Sequence, residues 1–186
     1  MTLTKNFSVM VLTLLCVFAL SAIAKADTVT LTATLSAANE VPPKDTNTFK
    51  GTGTATVVVD TVTGKVTVTV NFSGLSGAYT GGHIHCCAAP GSNAGIIVPF
   101  DAFLTGPADK LSGSLTNYSP ATPLTAAQIA GLLNGQAYVN IHTAANPGGE
   151  IRGQLTAVPE PGTLLLLGAG LVSVAARLRK RRDQDV

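Results

Sequence analysis

The chain has 186 residues, 46% hydrophobic but only 12% charged and 5% aromatic, with 19 Gly and no Trp, at a mean hydropathy of +0.36. Globular chains carry roughly 25% charged residues, so this composition excludes a nucleic-acid binder with a basic stripe and a highly charged disordered chain. The formal charge of +2 describes no single segment: the first 26 residues hold Lys5 and Lys25 without an acid, residues 27–158 hold five basic against seven acidic side chains, and the remainder holds five against three.

In chain order, Lys5 precedes an apolar run from Val9 to Ile23, and Ala24 and Ala26 flank Lys25 in an Ala-x-Ala arrangement before Asp27. A basic start, a short apolar stretch and small residues at a cleavage position form the layout of a secretory signal peptide over residues 1–26. The run is shorter than the roughly 20 residues of a retained span. Cleavage after Ala26 removes Cys16.

Residues 27–157 are the size of one domain. Val29 to Leu35, Thr52 to Asp60, Lys65 to Phe72, Leu111 to Thr116, Ala137 to His142 and Glu150 to Thr156 are rich in Val and Thr and alternate apolar with polar. Thr54, Thr56 and Val58 against Ala55, Val57 and Val59 show the period of two of a half-buried strand. Asp60 to Gly64 reads as a hairpin turn whose Gly64 accepts a positive φ. From Leu124 to Gly135 the period changes: Ile129, Leu132 and Leu133 share a helical face, Thr125 and Gln128 make a capping box, and Gly135 follows the last turn. The expected fold class is all-β, an antiparallel Greek-key-like sandwich or barrel with one short helix.

All three histidines fall in this domain. His83 and His85 lie two apart, so in a strand they project from one face, and His142 closes a later strand. Three imidazoles could bind copper or zinc through nitrogen. The other readings are structural histidines donating to backbone carbonyls beneath a loop, or a pH-sensitive contact; contact between His142 and the pair decides among them. Cys86 and Cys87, adjacent in an exported chain, leave three options: a vicinal disulfide, free thiols that add soft sulfur ligands to the site, or bridges to another chain. Glu150 and Arg152, two apart, are expected to form an ion pair or a cross-strand bridge. No nucleophile elbow, phosphate-binding loop or Cys-x-x-Cys pair occurs, and no catalytic residue is assigned.

The domain ends at Val158-Pro159-Glu160-Pro161-Gly162, followed by an apolar stretch from Thr163 to Ala176 and the basic Arg177, Arg179, Lys180, Arg181 and Arg182. The prolines interrupt secondary structure, the stretch is expected to form a short transmembrane helix, and the cations hold its end in the cytoplasm.

Two resemblances rest on these blocks. Pro159-Glu160-Pro161, the apolar segment and the Arg-rich end together resemble the PEP-CTERM sorting signal of Gram-negative bacteria, here spanning 158–186. That resemblance implies processing by an exosortase-type membrane protease, transient anchoring in the inner membrane, and delivery to the cell surface or an exopolysaccharide matrix. Asn39-Glu40-Val41-Pro42-Pro43, Phe72-Ser73-Gly74-Leu75 with Gly82-His83-Ile84-His85, Ala137 to Thr143, and Gly148 to Leu155 resemble in their order the CHRD domain first described in chordin. It implies an extracellular β-rich module without established catalysis. The expected role is therefore non-enzymatic: structural, adhesive or binding, with exopolysaccharide or surface proteins as partners and no nucleic acid. The alternative is a copper- or zinc-binding protein using His83, His85, His142, Cys86 and Cys87.

Overall fold

The computed structural model describes residues 28–159, together with 162, 167–174 and 177. The signal peptide, Glu160, Pro161, Arg179, Lys180, Arg181 and Arg182 lie outside the described residues. Pro159 follows the last strand without regular structure, while residues 167–174 are helical and exposed, as is Arg177. Among the described residues no helix is long and apolar enough to cross a membrane. Part of the expected span, 163–166 and 175–176, is outside them.

Nine strands are described: β1 (Thr28–Ser36), β2 (Thr52–Asp60), β3 (Val66–Ser73), β4 (Tyr79–Cys86), β5 (Gly95–Pro99), β6 (Gly113–Tyr118), β7 (Tyr138–Thr143), β8 (Ile151–Gln154) and β9 (Thr156–Ala157). They form one sheet in the order β5-β4-β7-β8-β1-β2-β3-β6, with β9 also beside β1. Every pairing is antiparallel. The sheet curls into a half-barrel around one core, which narrows the expected sandwich or barrel to a single curled sheet. Twist accumulates strand by strand, so a sheet this wide bends its apolar face onto itself and no second sheet is needed to cover it.

The period of two is what fills that face. Leu31, Ala33 and Leu35 of β1, Ala55, Val57 and Val59 of β2, and Val66, Val68 and Val70 of β3 are buried, while Thr residues alternate outward. Register places Leu31 opposite Val57 and Val57 opposite Val68. The β2–β3 turn holds by its own polar groups: Asp60 Oδ1 accepts from Val62 N at 2.9 Å and Thr63 N at 2.8 Å, and Gly64 takes φ +72°.

The expected helix is α1 (Ala126–Leu133). Thr125 Oγ1 accepts from Gln128 N at 3.3 Å and Gln128 Oε1 accepts from Thr125 N at 2.9 Å, so both halves of the capping box form. Leu132 is fully buried and Ile129 packs partly on the core, but Leu133, expected on the same face, is 40% exposed. The segment expected as one strand from Glu150 to Thr156 divides at buried Leu155. Its first part pairs with β7 and its second with β1.

Candidate metal centre

The site lies on the β4–β7–β8 part of the sheet, on the face opposite the core. Along β4, Gly82, Ile84 and Cys86 are buried on the apolar side, so His83 and His85 project from the other. The ladder puts Asn140 opposite His83, Tyr138 opposite His85, and His142 opposite Gly81. Arg152 of β8 stands opposite Asn140. Strand pairing alone thus gathers all three histidines into one patch.

One ring nitrogen from each of His83, His85 and His142 lies within 4.8 Å of those of the other two. One nitrogen of each ring is engaged by an acceptor. His85 Nδ1 donates to Ala94 O at 3.0 Å, His142 Nδ1 to Pro147 O at 2.9 Å, and His83 Nε2 to Asp101 Oδ1 at 2.9 Å. Carbonyl oxygens only accept, so those nitrogens carry the hydrogens. The nitrogens left are His83 Nδ1, His85 Nε2 and His142 Nε2. Fixing a ring by a hydrogen bond from its far nitrogen is how metal-ligating histidines are oriented.

Two details sharpen the chemistry. His83 Nδ1 and His142 Nε2 face each other at 3.0 Å; with both rings neutral, lone pair meets lone pair. A further proton, making one ring an imidazolium, or a cation resolves that contact. His85 Nε2 is buried and has no hydrogen-bond partner among the described residues. Burial pushes the His85 pKa down to about 4, overcoming the opposing effect of its bond to Ala94, and burial also lowers that of His142. Both rings are therefore neutral at physiological pH, with lone pairs free. For metal–nitrogen bonds of about 2.0–2.1 Å, tetrahedral ligand nitrogens stand about 3.4 Å apart, within the spread seen here.

The local sequence explains the arrangement. A Cβ on Gly81 would collide with the Asp101 carboxylate and one on Gly82 with the Phe100 ring, so the Gly81-Gly82 pair lets the segment after β5 close over β4. Gly82 N then donates to Asp101 Oδ1 at 2.9 Å, aiming the carboxylate at His83. His85 stacks on Tyr138 with ring centroids 4.8 Å apart and planes 2° from parallel, and the Arg152 guanidinium lies 3.4 Å from the Tyr138 centroid.

The cysteines stand apart from this patch. Cys86 Sγ and Cys87 Sγ are bonded to each other, and a Cβ on Gly131 of α1 would meet both sulfurs. The pair therefore packs beneath the helix, on the side of β4 away from the imidazoles, and a disulfide offers no thiolate. The expected Glu150–Arg152 pair is also replaced. Glu150 is fully buried and accepts from Ser76 N at 2.6 Å, Ser76 Oγ at 2.7 Å, Thr143 Oγ1 at 2.8 Å and Asn146 Nδ2 at 3.2 Å. Arg152 instead donates to Asn93 Oδ1 at 3.0 Å and Ser92 O at 2.8 Å.

Sequence reasoning assigned no site role to Asp101, Asn140 and Glu40. Asn140 is 3% exposed and Glu40 4%. Asn140 Nδ2 donates to Glu40 Oε2 at 3.5 Å, while Asn140 Oδ1 and Glu40 Oε1 have no partner among the described residues. Desolvation raises the Glu40 pKa to about 7 against the pull of Arg152 and Lys44. The Asn140-x-His142 spacing was the one signal that could have flagged Asn140, since it shares the face of His142.

Comparison with known proteins agrees with both resemblances. The CHRD domain family matches residues 31–155, and the PEP-CTERM protein-sorting motif matches residues 157–182. No curated protein and no solved structure matches the chain.

Proposed function

We propose that this chain, which belongs to the CHRD domain family, is an exported transition-metal-binding protein of the cell envelope. Its sorting motif implies export and processing by an exosortase, and the cell surface or exopolysaccharide matrix is the destination we infer. Copper or zinc is the ligand, held by His83 Nδ1, His85 Nε2 and His142 Nε2. A bound ion would supply Lewis acidity, or in the case of copper one-electron chemistry.

The observation that carries this reading is the set of three imidazoles, each held at one nitrogen by an acceptor, with one nitrogen from each ring within 4.8 Å of the others. A purely structural role accounts for one hydrogen bond per ring. With neutral rings it leaves His85 Nε2 without a partner among the described residues and two lone pairs opposed at 3.0 Å, a contact that otherwise needs a further proton on one ring. The adhesive or structural role expected from the sequence is compatible with a bound ion, which would be its ordering element or its contact to acidic polymer.

Fractionation of the native host followed by metal analysis tests both halves. The expected result is protein in the surface fraction carrying about one copper or zinc per chain, and a His83→Ala/His85→Ala double variant sorted normally but without the ion. Wild-type protein free of metal after gentle recovery sinks the metal assignment, and accumulation in the inner membrane sinks the sorting assignment.

A further inference from the structure

The geometry points to a fourth position on the metal that holds a small exchangeable oxygen ligand, water or another O–H donor, oriented by Asn140 and Glu40. The inference rests on the metal reading above and goes beyond it, because it makes the centre open rather than closed.

Three protein nitrogens leave a tetrahedral ion one ligand short, the pattern of a metal site that handles an exogenous molecule. Two buried acceptors are available to such a molecule. Asn140 Oδ1 and Glu40 Oε1 are buried acceptors with no partner among the described residues, on side chains only 3% and 4% exposed. Buried polar atoms without partners are rare in native proteins and call for an explanation. Asn140 lies beside the histidines, facing His83 across the β4–β7 ladder and preceding His142 by two residues on the same face, and Glu40 is joined to it through Asn140 Nδ2. The bond from Asn140 Nδ2 to Glu40 Oε2 ties the amide's nitrogen towards the carboxylate, which leaves Oδ1 for another donor. Gly149, at φ +121°, makes room, since a Cβ there would collide with the Asn140 side chain.

The chemistry of the two free atoms also selects the ligand class. With Glu40 ionised, as at pH 8.5, both are acceptors, so a ligand with O–H bonds satisfies them, whereas an acceptor-only anion would face the Glu40 carboxylate. His83 and His142 are only partly buried, which leaves a way in from solvent.

The test uses processed protein from the host, loaded with Cu(II) at pH 8.5. Electron–nuclear double resonance in D2O reads exchangeable hydrogens on the ion, and azide titration followed by absorbance reads displacement of the oxygen ligand. Wild-type protein should show strongly coupled exchangeable deuterons, and Asn140→Ala should weaken them. Glu40→Gln should bind azide on the order of tenfold more tightly, because a nearby negative charge is removed and an N–H donor is supplied. That gain is a change a damaged fold would not produce. Copper bound one to one with no coupled deuterons, or with equal azide affinity in all three proteins, would overturn the inference and leave the two acceptors serving an ordered water away from the ion. A protein that binds no copper overturns the metal reading and this one with it, and metal analysis identifies that case separately.

Discussion

Glu40 and His85 should give the metal-free protein two opposing pH dependences that hide each other. Glu40 is pushed up to about 7 from 4.5. Between those values the folded state keeps a proton that the unfolded chain has lost, so stability present below pH 4.5 is lost as pH rises to about 7. His85 is pushed down to about 4 from 6.5. Between those values the unfolded chain holds a proton that the folded state rejects, so stability present above pH 6.5 is lost as pH falls to about 4. Each pKa unit is worth about 1.4 kcal/mol. In the shared window, pH 4.5–6.5, the two slopes run in opposite directions and largely cancel. Urea unfolding with chelator present should therefore find wild-type stability nearly flat across that window as far as these two groups are concerned. Glu40→Gln removes one slope and should expose the other, making the protein about 2–3 kcal/mol more stable at pH 6.5 than at 4.5. A Glu40→Gln profile parallel to wild type would refute the assignment of a buried carboxyl with a raised pKa at this position.

Two further outcomes follow from contacts already described. Asp101→Asn keeps an acceptor for Gly82 N but weakens the grip on His83, so metal affinity should fall roughly 10- to 100-fold, as for other residues that orient a ligand, with the unfolding midpoint of metal-free protein unchanged; equal affinity by competitive chelator titration would show that His83 is not positioned through Asp101. Gly131→Ala adds a methyl where α1 meets the Cys86–Cys87 sulfurs. Overpacking of about 1–3 kcal/mol should exceed the gain of about 1 kcal/mol from helix propensity, and a urea midpoint at or above wild type would contradict that close packing.

How much of this could be read in advance depended on whether the determining contacts were local. The β1–β3 meander was legible because Val and Thr alternate on strands that pair with their sequence neighbours, and α1 was legible because Thr125 and Gln128 satisfy each other within one turn. β5 was not, since Gly95 to Pro99 is a continuous short run whose partner, β4, is itself interrupted by Gly81 and Gly82. The split at Leu155 was hidden for a similar reason: two neighbouring strands both lie beside β1, and alternation does not say which partner a residue has. The three histidines were visible as residues and the His83–His85 pair as a shared face, but their meeting with His142 needed the β4–β7 register. Asp101 and Glu40 were out of reach, because each acts through a contact made by a loop that folds over the sheet.

The place of β1 has a consequence for how the protein is made. Its partners include the last strand of the domain: Leu31 pairs with Ala157, Thr32 with Thr156, and Val158 N donates to Thr30 O at 2.9 Å. The first strand to be synthesised therefore waits for the last, more than 120 residues later. Until then β1 can dock only on β2, and the β8 side of the sheet, with the histidine patch beside it, stays unclosed. Folding with contacts this distant in sequence is slow relative to local pairing, so an ion that needs His83, His85 and His142 together would be acquired only after the whole domain has been synthesised.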